Sequence, residues 1–166
     1  MSGDFDVMRF DNIMLINTEF TKLELQNVFT KIKGHLIRAT WKGYGSTIFI
    51  EIGRLKKEIG SNHHRGEYSF MIEPDWEMFN GKLVFVSSRS NYDRIHDILS
   101  AMLGKRIREV RIVGFYRPTL TIKLNNGFIL KVKSNKSQDE ASWSLKIPDG
   151  KWLGGLKNGF EQQENI

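Results

Sequence analysis

An internal repeat at an offset of 70 residues is the feature that most restricts how this chain can fold. Residues 13–16 (Ile-Met-Leu-Ile) match residues 83–86 (Leu-Val-Phe-Val), and Gly34 matches Gly104. The match needs no gap from about residue 12 to residue 42. Self-similarity at a fixed offset is typical of two copies of one structural unit. The alternative is that two amphipathic segments resemble each other by pattern alone.

The similarity continues towards the C-terminus with slips of one or two residues, and it pairs residues 68–72 with residues 143–147. We therefore predict two tandem pseudo-repeats that share one core. The first half is residues 1–78 and the second half is residues 79–155. Residues 156–166 form the C-terminal tail, and its last residues, 161–166, are predicted to fray because chain ends are poorly ordered unless they are tied down.

Each half contains one segment with helical periodicity, which predicts helices over residues 21–33 and 91–103. Thr21-x-x-Glu24 and Ser90-x-x-Asp93 resemble capping boxes at the two starts. Gly34 and Gly104 are placed for the left-handed residue that follows a helix. The apolar stripes of these helices are Leu25, Val28, Phe29 and Ile32, and Ile95, Ile98, Leu99 and Met102.

The remaining segments alternate between apolar and polar residues with period two, most clearly in 119–124, 128–133 and 142–147. Asn125-Asn126-Gly127 predicts a hairpin turn because Asn and Gly tolerate positive φ. One apolar face per strand indicates antiparallel sheet with one solvated side, partly covered by the helices. The fold class is therefore α+β, each half being a strand, a helix and four antiparallel strands. The predicted core includes Phe29, Ile50, Phe70, Leu99, Ile122, Leu130, Trp143, Leu145 and Ile147.

The composition indicates a soluble, cytoplasmic protein. Hydrophobic residues make up 40% of the chain, and Cys is absent, so no disulfide is expected. No apolar run approaches the ~18 residues that cross a bilayer, and we expect no membrane association. The first six residues carry Asp4 and Asp6 where a secretory signal carries Lys or Arg.

The net charge of +6 is unevenly distributed along the chain. Residues 1–80 contain 10 Lys+Arg and 11 Asp+Glu, whereas residues 81–166 contain 15 and 8. A lopsided basic charge steers association with an acidic partner. That partner is either nucleic acid or an acidic protein surface, and charge alone does not choose between them.

The sequence shows no catalytic, metal or nucleotide motif, so we expect no enzymatic activity, cofactor or metal. His63-His64 lacks the further ligands that a zinc site needs, which favours an exposed hairpin loop. The carboxylates Glu73, Asp75 and Glu77 are typical of a solvated turn joining the halves. Neither a Gly-x-Ser-x-Gly nucleophile elbow nor a phosphate-binding glycine loop occurs.

Basic and aromatic residues of the second half supply the candidate partner-binding site. Arg106, Arg108 and Arg111 lie in the densest basic stretch, where the alternative is an ordinary solvated strand. Tyr, Phe and Arg commonly anchor protein interfaces. Two Gly-aromatic turns at matching positions of the repeat therefore add Tyr44, Tyr116 and Arg117, although such turns can also serve local packing alone.

The turn Gly104-Lys105-Arg106-Ile107 and the string Trp143-Ser144-Leu145-Lys146-Ile147-Pro148 fit a known pattern. Together with the preceding strand and helix and the Asn-Gly hairpin, they resemble small bacterial immunity-type proteins encoded beside polymorphic or contact-dependent growth inhibition toxins. The resemblance covers about residues 80–150 directly, and 12–75 only through the repeat.

The resemblance implies a non-catalytic protein that binds a cognate toxin domain and neutralises it by occluding its active or substrate-binding surface. Many such proteins are acidic, whereas this chain is basic, which implies a toxin with an acidic face. We expect the second half to dominate the interface, with Tyr116, Arg117 and at least one of Arg106, Arg108 and Arg111. The alternative function is a nucleic-acid-binding or regulatory module that uses the basic second half. The oligomeric state does not follow from the sequence.

Overall fold

The structure is a computed structural model that describes residues 23–113, 119–133, 142–156 and 159–163. Helix α1 covers residues 23–32, and helix α2 is Tyr92–Met102. Between the helices lie strands β1 (Ile37–Lys42), β2 (Ile48–Ile52), β3 (Lys56–Lys57), β4 (His64–Arg65), β5 (Tyr68–Ile72), β6 (Trp76–Asn80) and β7 (Leu83–Ser87). After α2 come β8 (Ile107–Val113), β9 (Thr119–Leu124), β10 (Phe128–Val132), β11 (Trp143–Lys146), β12 (Trp152–Leu156) and β13 (Gly159–Gln163).

The strands form two antiparallel sheets and one small hairpin. The first sheet has the order β1-β2-β5-β11-β12-β13, the second has the order β7-β6-β10-β9-β8, and β3 pairs with β4. The predicted combination of helices with antiparallel sheet is confirmed. The predicted opening strand at 13–16 lies outside the described residues. The predicted fraying was wrong for residues 161–163, because they belong to β13, which pairs with β12.

Each sheet combines strands from both halves of the sequence. Phe70 on β5 lies opposite Leu145 on β11, so the segments matched by the repeat are neighbours in the first sheet. In the second sheet, Met78 on β6 lies opposite Leu130 on β10. The division between residues 78 and 79 therefore falls inside a strand that pairs with the second half.

The two sheets meet where residues 34–37 lie against residues 104–107. An isolated antiparallel bridge pairs Leu36 with Arg106 at this junction. Four backbone hydrogen bonds of 2.8–2.9 Å cross it, from Gly34 N to Ile107 O, Gly104 N to Ile37 O, Ile37 N to Lys105 O and Ile107 N to His35 O. The 70-residue offset relates these bonds in two pairs. The bond from Gly34 N to Ile107 O corresponds to the bond from Gly104 N to Ile37 O. The bond from Ile37 N to Lys105 O corresponds to the bond from Ile107 N to His35 O. The backbone contact is therefore reciprocal.

A single hydrophobic cluster joins the inner faces of both sheets and both helices. All nine residues predicted for the core are buried, including Trp143, Phe70 and Ile122, each at 0% exposure. Helix α2 is fixed to the first sheet by the Thr40 hydroxyl, which donates a 2.8 Å hydrogen bond to the Leu99 carbonyl. A helix of the second half thus lies on a strand of the first half.

The helix and turn signals of the sequence are partly confirmed. Gly34 and Gly104 have φ values of +89° and +76°, and Gly127 has +91° in the β9–β10 turn, as expected for left-handed positions. The prediction that Ser90 caps α2 was wrong. The N-cap is Asn91, which is in extended conformation and whose side chain accepts a 3.0 Å hydrogen bond from Arg94 N. Ser90 instead accepts from Ser87 N at 2.9 Å. The Thr21 cap lies outside the described residues.

Neither α1 nor α2, the helices in the described part of the chain, is long and apolar enough to span a membrane.

Candidate functional site

The structure separates the site residues predicted from sequence. Arg106 is exposed at the sheet junction, where its Nη1 donates a 2.8 Å hydrogen bond to the Gly34 carbonyl oxygen. Arg108 and Arg111 are exposed further along β8, and Arg111 Nε lies 3.7 Å from Glu109 Oε1. Tyr44 is 99% exposed in the turn between β1 and β2. The predicted residues Tyr116 and Arg117 lie outside the described residues.

Arg106 instead shares a groove with cations of the first half. This junction groove, with a volume of about 810 Å³, is lined by the exposed side chains of Lys33, Arg38, Arg54 and Arg106. The contact between residues 34–37 and residues 104–107 brings Arg106 to Gly34. It also places Arg106 beside the end of α1 and the start of β1. The groove therefore depends on the junction between the two sheets.

Glu67 is the carboxylate that lines this groove. Its Oε2 accepts a 2.9 Å hydrogen bond from the Arg54 backbone amide, which fixes it at the wall. Burial of the neighbouring Tyr68 side chain raises the pKa of its hydroxyl, and the negative charge of Glu67 raises that pKa further. Among the described residues that line the groove, four cationic side chains face one carboxylate, so this lining carries a net positive charge.

A second groove, of about 550 Å³, continues from the first. Arg54 and Glu67 line both grooves. The second groove adds Lys56, Lys57 and the half-buried Lys146, together with Glu58 and Arg65. We call the combined feature the basic trough, defined by Lys33, Arg38, Arg54, Lys56, Lys57, Arg106 and Lys146.

The charges of the basic trough are available to a partner. Within the described residues, none of the seven trough cations forms an ion pair with a carboxylate. By contrast, Arg65 is neutralised by Glu51, 3.3 Å away, and by Glu58, 3.0 Å away. Unpaired surface cations that converge on a concave surface concentrate positive potential there.

A buried carboxylate holds the β3–β4 hairpin, which carries part of the trough, against the first sheet. Glu51 on β2 is 0% exposed and accepts 2.9 Å hydrogen bonds from the Ser69 hydroxyl and the Gly66 amide. It also accepts from Arg65 Nη1 and Trp41 Nε1, both at 3.3 Å. A buried charge needs such partners because it has lost its hydration.

Ring stacking reinforces this attachment. Trp41 stacks with Phe49 at a centroid distance of 3.6 Å and with His63 at 4.0 Å, with interplanar angles of 2° and 4°. The Arg65 guanidinium lies 5.2 Å from the Trp41 ring centroid. His63 thus contacts the sheet, while His64 lies in β4. Across the described ranges, no group of three His, Cys, Asp or Glu side chains is arranged to hold a metal ion.

No protein-family model, curated protein or solved structure matches this chain.

Sequence reasoning missed the part of the trough that the first half contributes. Residues 1–80 contain 10 cations and 11 acids, so their net charge hides a local cluster. The run Arg54-Leu55-Lys56-Lys57 was the available signal. Its partners Lys33, Arg38 and Arg106 come from distant positions that only the sheet junction brings together.

Proposed function

We propose that this chain is a cytoplasmic, non-enzymatic immunity protein that binds a cognate bacterial toxin domain and neutralises it by occluding its active or substrate-binding surface. The observation that supports the proposal is the basic trough, in which seven cations, six of them exposed, have no carboxylate partner among the described residues. A toxin with an acidic face is the complementary partner.

Charge complementarity suits an inhibitor that must act before its target does harm. Attraction between a basic and an acidic surface raises the rate of association and excludes partners of like charge. Slow dissociation needs a few desolvated anchors, for which aromatic and Arg side chains are the most frequent choice. The proposed interface therefore includes the trough, and Tyr116 and Arg117 remain predicted anchors.

Co-expression with the toxin domain encoded beside this gene tests the proposal. The parent chain should restore growth, and Arg54→Gln/Lys56→Gln should protect less well because it removes two trough charges. The matched control is Lys82→Gln/Arg89→Gln, which removes two exposed charges outside the trough. If the parent gives no protection and does not bind the neighbouring gene product, the proposal is wrong.

The second candidate function is nucleic-acid binding, and the trough also supports it, because phosphate backbones are bound by clustered Lys and Arg. This function predicts retardation of DNA or RNA at low salt. Each lost phosphate contact should reduce the slope of log affinity against log salt by about 0.7–0.9. Arg54→Gln/Lys56→Gln should show that reduction, whereas Lys82→Gln/Arg89→Gln should not.

We also propose that the two halves are diverged copies of one unit that have exchanged strands. The reciprocal hydrogen bonds at the junction support this. So does the parallel between the strand order β1-β2-β5-β11-β12 and the order β8-β9-β10-β6-β7. In this scheme β5 corresponds to β10, and not to β11 as the sequence match of residues 68–72 with 143–147 suggests, while β6 and β11 are the exchanged strands. Superposing residues 25–52 on 95–124 in a crystal structure tests the proposal, and unrelated helix positions would exclude it.

A further inference from the structure

We infer that the basic trough binds an extended, acidic segment of a protein partner, with an apolar side chain of that segment packed against Ile59. The inference rests on the proposed function and names the chemistry that the trough recognises. Ile59 lines the second groove and is 101% exposed. An apolar side chain at full exposure beside Lys56 and Lys57 combines the two components of a protein interface, an apolar contact and a charged rim.

The distribution of charge favours an acidic peptide over a nucleic acid. Two carboxylates, Glu58 and Glu67, interrupt the cations of the trough. A nucleic acid presents a negative charge at every nucleotide and must place some of them against these carboxylates. A peptide can instead place a neutral or basic residue at those two positions and acidic residues at the others.

The small number of aromatic rings in the trough also favours an acidic peptide over a nucleic acid. Proteins that bind single-stranded nucleic acid without sequence preference stack the bases on aromatic side chains. Among the described residues that line the trough, His35 supplies the only aromatic ring. Its ring lies edge-on to Tyr68 at a centroid distance of 5.8 Å. The trough therefore offers charge and aliphatic contacts, of which Ile59 is fully exposed, rather than a stacking platform.

The network around Glu51 prepares this surface for binding. The hairpin that carries Lys56, Lys57 and Ile59 is tied to the sheet through Arg65, whose guanidinium contacts both Glu51 and Glu58. A loop that is already ordered loses less conformational entropy when a partner binds. Glu51 is a positioning residue in this scheme, because it is buried and acts through the hairpin rather than by touching the segment.

The test uses fluorescence anisotropy with the full chain and a fluorescein-labelled peptide of alternating Glu and Ser with one central Leu. We expect this peptide to bind about three- to tenfold more tightly than the same peptide with Ser in place of Leu, the scale of partial burial of one Leu side chain. Ile59→Ser should remove that preference. Leu83→Ser, which alters a 75% exposed apolar residue outside the trough, should retain it.

A second arm uses oligothymidylate with the same number of negative charges as the peptide. The inference requires the peptide to bind more tightly than the oligonucleotide, and both to weaken in Arg54→Gln/Lys56→Gln relative to Lys82→Gln/Arg89→Gln. Tighter binding of the oligonucleotide overturns it in favour of a nucleic-acid ligand. It is also overturned if neither probe binds, or if Ile59→Ser keeps the Leu preference.

Failure of this inference and failure of the proposed function are distinguishable by growth protection. If the parent and Ile59→Ser both protect cells from the toxin while neither peptide binds, the immunity proposal stands and the acidic-segment inference is wrong. If the peptide binds with the expected Leu preference and the parent gives no protection, the recognition chemistry stands and the immunity proposal is wrong.

Discussion

Arg106 Nη1 donates a 2.8 Å hydrogen bond to the carbonyl oxygen of Gly34, a residue 72 positions earlier in the chain. Gly34 follows helix α1 in left-handed conformation, with φ +89°, and its own amide donates to Ile107 O. The end of α1 and the start of β8 are therefore joined by backbone and side-chain bonds. The same contact holds the Arg106 side chain at the wall of the junction groove.

The contact predicts that Arg106 contributes more to stability than its neighbour Arg108. Arg106→Ala should lower the free energy of unfolding by about 1 kcal/mol, the typical net contribution of one hydrogen bond. Arg108→Ala, on the same strand and also exposed, should change it by less than about 0.5 kcal/mol. Urea denaturation of both variants measures the difference. Equal midpoints for the two variants would show that the Gly34 contact is energetically neutral.

Glu51 should be the most costly carboxylate to neutralise among those described. Glu51→Gln removes the buried partner of Arg65, which is 19% exposed and keeps Glu58 as a carboxylate partner. We expect a loss of about 2–3 kcal/mol, below the range for fully buried pairs because solvent reaches Arg65. Glu109→Gln, which affects exposed ion pairs, should cost about 0–0.5 kcal/mol.

A double-mutant cycle measures the interaction free energy between Glu51 and Arg65. The double variant Glu51→Gln/Arg65→Met should lose less stability than the sum of the single variants by at least about 1 kcal/mol, since Glu51 is then no longer a buried charge without its cation. Strict additivity in guanidinium or urea titrations would contradict a direct interaction between the two side chains.

The two fully buried tryptophans should respond differently to the same substitution. Trp76 Nε1 donates a 2.8 Å hydrogen bond to Ser46 O, whereas Trp143 Nε1 has no partner among the described residues. Trp76→Phe should therefore cost about 1 kcal/mol more than Trp143→Phe. Trp143→Ala should cost about 3–5 kcal/mol, as for other buried aromatic side chains. Thermal or urea unfolding measures all three, and the reverse order for the Phe variants would contradict the assignment.

The raised pKa of Tyr68 predicts that the protein loses stability at alkaline pH. Its pKa in the folded protein is raised by burial and by the charge of Glu67, so the folded state holds the proton more tightly than the unfolded chain. This contribution is complete below about pH 10, the ordinary tyrosine value, and is lost as the pH rises through the folded-state pKa. As the pH rises above about 10, the parent should lose stability relative to Tyr68→Phe. Tyr92→Phe, which alters an exposed tyrosine, should follow the parent.

The fold was predictable where local pattern and burial agree. The apolar stripe of Ile95 and Leu99 and the alternation around Leu145 each leave one face to bury, and the structure buries that face. The pairing of the strands was harder to predict from the sequence. Residues 68–72 and 143–147 show the same apolar and polar alternation whether they are equivalent strands of two repeats or neighbouring strands of one sheet. Periodicity fixes which face of a strand is buried and does not specify its neighbour.

The candidate site was less predictable than the core, for a physical reason. Arg106 was identified from the local density of charge, but Lys33, Arg38 and Arg54 join it only through the junction. Glu51 carried no signal in the sequence, since an acidic residue between Ile50 and Ile52 reads as the solvated face of a strand. The β3–β4 hairpin covers that face and buries the carboxylate.

Gly66 should be the glycine on which the hairpin and the trough both depend. A Cβ atom added there would lie 2.5 Å from Ile52 N and O and 2.9 Å from Tyr68 O, all backbone atoms that cannot move aside as a flexible side chain can. Gly66 also donates its amide to Glu51 Oε2 at 2.9 Å, so any displacement weakens the buried network. Gly66→Ala should lower the free energy of unfolding by about 2–3 kcal/mol.

The matched control for this prediction is Gly45→Ala, where a Cβ meets nothing within 4 Å and the only cost is that of φ +62°. That cost should be about 1 kcal/mol. Because Gly66 adjoins Arg65 at the base of the hairpin, Gly66→Ala should also weaken binding of the acidic Leu peptide, whereas Gly45→Ala should not. Urea denaturation and anisotropy measure the two effects separately. Full peptide affinity in a destabilised Gly66→Ala protein would show that the position of the hairpin does not set the shape of the trough.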